Sequence, residues 1–131
     1  MEFLKWTSEY EIGVPVIDEQ HRGLVDCIND LAEVRDSNDL NIVNSVLGRL
    51  VEYTVNHFEF EEELQKKAGY DRIDEHKHQH TLFIHKMESF KERAEEGENV
   101  ATAVLSMLKL WLLAHIKRED TGYVSVVMKF A

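Results

Sequence analysis

Four separate segments of this chain carry histidines and carboxylates at spacings that very few folds can use. His57 and Glu61 are four residues apart, as are His76 and His80; His21 stands upstream, and His115 and Asp120 follow downstream, five apart. On a helix, positions four apart differ by only about 40° in azimuth, so each such pair points one way from one helix. One helix cannot present all seven groups inward, so they form a single site only if four segments converge. The step from His115 to Asp120 turns about 140° on an ideal helix, which predicts a bulge, a tightening or a helix end near residues 116 to 120.

The rest of the chain supplies those segments as helices. A single proline, Pro15, and six glycines interrupt it little, and the apolar positions recur at three and four rather than at two. Asp18 is a candidate N-cap for a first helix through His21, Leu24, Val25, Ile28 and Leu31, ending near Asp36-Ser37-Asn38. Asn38 or Asp39 caps a second, with Val43, Leu47, Leu50, Tyr53, Thr54, His57, Phe58, Glu61 and Leu64 along one face and Gly69 as its stop. Asp71 opens a third helix carrying Ile73, His76, His80, Phe83, Met87 and Phe90, which ends at Gly97. Asn99 caps a fourth, with Val104, Leu105, Leu108, Trp111, Leu112 and His115.

Short linkers between four such helices predict an all-α, up-down-up-down antiparallel four-helix bundle. Ahead of it lies an ordered arm with Phe3, Trp6, Tyr10, Ile12, Val14 and Val16, and behind it a short apolar extension, Tyr123 to Phe130, compatible with a short helix or a docked strand. The expected layout is one domain over residues 1–131: arm 1–17, bundle about 18–119 and tail about 120–131.

Composition excludes several function classes. With 25 acidic against 15 basic residues, a formal charge of −10, the chain offers no general surface for a polyanion such as nucleic acid. The longest apolar stretch, Val100 to Ile116, is broken by Lys109 and is no candidate membrane span. The N-terminus, with Glu2 and Lys5 close to Trp6, lacks a secretory signal pattern, and Cys27 is the only cysteine, so a reducing, cytoplasmic setting is expected.

Five imidazoles and two carboxylates exceed what one tetrahedral zinc needs, and carboxylates can bridge two cations. The ferritin-like di-iron alternative uses four carboxylates and paired Glu-x-x-His motifs, which this chain does not provide. Histidine in place of carboxylate favours the reduced metals, and with them reversible O2 binding over oxygenation. His78 and His85 fall about 200° and 180° from His76 and are expected to face solvent. Glu59, Glu62 and Glu63 read as a solvated acidic run around Glu61, and Cys27 as a packing residue at the edge of its helix's apolar stripe.

The order His, His-x-x-x-Glu, His-x-x-x-His, His-x-x-x-x-Asp, together with the approach Ile17-Asp18-Glu19-Gln20-His21, resembles the hemerythrin family over roughly residues 6 to 123. The length and tail look most like its stand-alone bacterial members. The resemblance implies two irons, Fe2+ or Fe3+ by oxidation state. His76, His80 and His115 would hold one iron, His21 and His57 the other, with Glu61, Asp120 and an oxo or hydroxo group bridging. It further implies reversible O2 binding at the two-histidine iron, for transport, storage or buffering, with small anions such as azide as competing ligands. Leu24, Phe58, Trp111 and Leu112 are the expected wall of a dry O2 pocket.

On this reading the protein is a monomeric binding protein rather than an enzyme, and its O2 recipient is not specified. Two alternatives share the same centre: a redox enzyme acting on peroxide or nitric oxide, and a sensor of O2 or iron working through a partner.

Overall fold

The computed structural model describes residues 3–118, with only the backbone course given for Glu9 and for residues 111–118. Four helices follow one another: α1 (Pro15–Val34), α2 (Leu40–Ala68), α3 (Ile73–Glu95) and α4 (Ala101–Arg118), preceded by an arm with one 3-10 turn at Ser8–Tyr10.

The helix ends follow local chemistry, with two departures from expectation. Pro15, whose fixed φ suits a first helical position, starts α1 ahead of Asp18. The Asp18 carboxylate instead accepts from the backbone N–H of Ile12 at 2.7 Å and of Gly13 at 3.1 Å. It therefore ties the arm to the first turn rather than capping the helix, and the arm ends at residue 14, leaving Val16 exposed on α1. Arg72, not Asp71, precedes α3, and it makes no side-chain cap.

Elsewhere the expected caps form. Asp39 accepts from Asn41 N–H at the start of α2, and Asn99 accepts from Ala101 N–H at the start of α4. Gly69 closes α2 in the left-handed conformation, φ 71°, which costs glycine nothing.

Helix α2 packs between α1 and α3, and α1 also packs against α4. The connections fix the directions. Asn99, just before α4, donates to Arg35 O at the end of α1, and Asn44 near the start of α2 donates to Ala94 O at the end of α3. One pole of the bundle thus gathers the ends of α1 and α3 with the starts of α2 and α4, the up-down-up-down arrangement. Its middle is filled by the fully buried Ile28 and Leu31 of α1, Leu47 and Leu50 of α2, Met87 of α3 and Leu105 and Leu108 of α4, the apolar face that stabilises each amphipathic helix.

The arm is tied down by Asn29, which exchanges two hydrogen bonds with the backbone of Leu4 (2.8 and 2.9 Å). Lys109 of α4 caps the Phe3 ring at 5.5 Å. Cys27 lies half-buried against the core; burial, aided by Asp30, pushes its thiol up, as suits a packing residue. Helix α4 continues as α-helix through Arg118, so no bulge or tightening falls at residues 116–118; residues 119–120 and the rest of the tail, including the apolar run Tyr123 to Phe130, lie outside the described residues.

Candidate metal centre

The pole opposite Asn99 and Asn44 carries the polar cluster. Antiparallel alternation brings the early part of α1, the late part of α2 and the early part of α3 to one level, and there the apolar faces switch to His21, His57, Glu61, His76 and His80, all buried. Glu61 is fully buried and sits at the centre. Its Oε2 faces Nε2 of His57 at 3.6 Å and of His21 at 3.8 Å, while its Oε1 faces Nε2 of His80 at 3.0 Å and of His76 at 3.7 Å. One carboxylate therefore divides four imidazoles into two pairs, one on each oxygen.

Two donor groups result, His21–His57–Glu61 and Glu61–His76–His80, each with its ligand atoms within 4.8 Å of one another. Imidazole nitrogens and a carboxylate whose two oxygens point in different directions suit two transition-metal ions sharing a bridge. The electrostatics agree. Burial would push the Glu61 carboxyl up, but in the metal-free chain the protons that the surrounding His21, His80 and His57 imidazoles can carry outweigh it and hold the group well below the usual carboxylate range. The site favours an anion at its centre and cations around it.

The rings are held from behind. His57 Nδ1 lies 2.6 Å from Gln20 Oε1 and His80 Nδ1 lies 3.0 Å from Glu62 Oε2, while His76 Nδ1 meets the Gln65 amide, 2.8 Å from its Nε2 and 3.1 Å from its Oε1. On His57 and His80, where Nδ1 faces an acceptor oxygen, a proton held on Nδ1 leaves the Nε2 lone pair available to a metal at the centre, the tautomer a metal needs. The backbone of Gln20 is itself anchored, because its main-chain carbonyl accepts from the Tyr53 hydroxyl at 3.0 Å. Gly23 makes room for that hydroxyl: a Cβ there would lie 2.1 Å from it.

These three contacts were not anticipated from the sequence, and one corrects it. Glu62 is not part of a solvated run; it is only 22% exposed and bound to His80. Glu59 and Glu63 are exposed as expected, and so are His78 and His85.

Of the expected pocket wall, Leu24 is fully buried on α1. Phe58 is buried too, but it stacks on His80, with centroids 3.7 Å apart and planes at 2°, more closely than on the adjacent His57 at 5.8 Å. The side chains of Trp111, Leu112 and His115, and Asp120 as a whole, lie outside the described residues.

A helical bundle whose histidines converge from three described helices on one buried carboxylate defines a two-metal bundle protein. Residues 12–127 match the family described as Hemerythrin HHE cation binding domain. The chain is similar to bacteriohemerythrin of Pseudomonas aeruginosa strain PAO1, 37% identical over 127 residues that span 97% of this chain and 83% of that one. It is also similar to myohemerythrin of Theromyzon tessulatum, 33% identical across 91% of this chain and 89% of the relative. A crystal structure of wild-type hemerythrin superposes with a TM-score of 0.91 at 25% identity, covering 95% of this chain and 98% of that one. The chain belongs to the hemerythrin family.

Proposed function

We propose that this chain binds O2 reversibly at a non-haem di-iron centre, for oxygen transport, storage or buffering. The observation that carries the reading is the division of Glu61 between two imidazole pairs, which is what a bridging carboxylate requires. Its likeness to bacteriohemerythrin and myohemerythrin over most of its length supports the same reading.

In this assignment His76, His80 and His115 would hold one iron and His21 and His57 the other, and Glu61, Asp120 and an oxo or hydroxo group would be shared between them. When bound, the iron pair supplies the two electrons and the open coordination position that reversible O2 binding needs. The protein's own groups do the rest. Glu61 offsets the metal charge in a dry interior, and Gln20, Glu62 and Gln65 keep the imidazoles aimed. Leu24 and Phe58, both buried, would exclude the water that speeds irreversible oxidation, and Trp111 and Leu112 are assigned to the same wall from the sequence.

The same reading makes the protein a binding protein rather than an enzyme, monomeric and cytoplasmic, with azide as a competitor at the open position. No helix among the described residues is long and apolar enough to cross a membrane.

Metal analysis of the purified protein tests the assignment. The expected result is two irons per chain; one iron, or zinc in place of iron, contradicts it.

A further inference from the structure

The two described halves of the centre differ in what stands behind their imidazoles. On the α1–α2 side, His57 Nδ1 meets the neutral amide oxygen of Gln20. On the α2–α3 side, His76 Nδ1 meets the neutral Gln65, but His80 Nδ1 meets the Glu62 carboxylate at 3.0 Å. Three residues of α2 thus enclose the α3 pair: Glu61 in front of both Nε2 atoms, Gln65 and Glu62 behind.

A carboxylate on Nδ1 pulls that proton more strongly than an amide oxygen does, shifts the ring toward imidazolate and makes Nε2 the stronger donor. His80 is buried and Phe58 lies flat against its face, so the ring is held while this polarisation acts.

Resting on the di-iron reading above, in which His115 already gives one position a third imidazole, we propose that Glu62 is a positioning residue that widens the inequality between the two metal positions. It strengthens the hold of His80, so that the position built on Glu61, His76 and His80 binds its metal more tightly than the ligand count alone would give.

The test is competition between the metal-free protein and a chelator for Zn2+, which reads metal affinity without any O2 chemistry. The parent is expected to take up two ions in two resolved steps. Glu62→Gln keeps the size and the hydrogen bond but removes the charge, and should weaken the tighter step by about tenfold or more while leaving the weaker step unchanged. Glu62→Asp, which retains the charge, should recover part of that loss.

Glu63→Gln removes the same charge from an exposed site on the same helix and should change neither step. In the iron-loaded protein, Glu62→Gln should raise the midpoint potential, a shift that mere loosening of the helix pair does not predict. A Glu62→Gln protein that matches the parent, weakens both steps alike or behaves as Glu63→Gln overturns the proposal while leaving the two-metal centre standing. A parent that binds fewer than two Zn2+ overturns the two-metal reading itself, and the proposal with it.

Discussion

Replacing Glu61 by glutamine is expected to empty both metal positions at once. The side chain keeps its size, so the bundle has no cavity to absorb, but the anion between the two imidazole pairs is gone. Four buried rings would then have to share two cations with one carboxylate charge fewer, in a setting where uncompensated charge is costly. Losing an outer hydrogen-bond partner alone weakens metal binding about 10–100-fold, so losing the bridging carboxylate should exceed the top of that range. Iron measured after dialysis against a weak chelator should be near zero in Glu61→Gln and at the parent level in His78→Ala and His85→Ala, whose side chains are exposed. Full iron in Glu61→Gln would show that Glu61 is not a bridge.

Stripping the metal should lower thermal stability sharply. Metals that bind only the folded chain stabilise it by mass action, about 4 kcal/mol per site at a thousandfold excess over Kd. For a domain of this size each kcal/mol moves the melting point by roughly 3–5 °C, so a fall of about 10–20 °C per emptied site is expected.

The metal-free form should also depend on pH in a definite direction. The Glu61 carboxyl titrates lower in the folded chain than in the unfolded one. Its stabilisation is therefore present above the ordinary carboxylate range and lost as pH falls through the depressed value. Calorimetry before and after chelation checks both effects, and an unchanged melting point would place the metal outside the folded core.

The same geometry explains what could be read in advance. Periodicities of three and four located the four helices and, as far as their side chains are described, the buried faces, because a helix records its own inward side in sequence. The i,i+4 pairs His57–Glu61 and His76–His80 were legible for that reason. Helix starts were less so: Asp18 looks like a cap, yet Pro15 upstream fixes the first turn and frees the carboxylate to hold the arm.

The partners behind the rings were harder still. Gln20 precedes His21 and Glu62 follows Glu61, each about 100° off the ligand face of its own helix, and their targets lie on neighbouring helices, which no single-helix pattern records. Gln65 was within reach: it sits four residues after Glu61, so its amide shares the face of the site and had to find a polar partner there.

The most direct test of the central claim is an anaerobic titration of the fully reduced, iron-loaded protein with O2, followed by its optical spectrum. The account predicts uptake of one O2 for each iron pair, a new absorption band that grows linearly to that end point, and recovery of the starting spectrum when O2 is removed under argon. Oxidation that no removal of O2 reverses, or no uptake at all by a protein holding both irons, would contradict it.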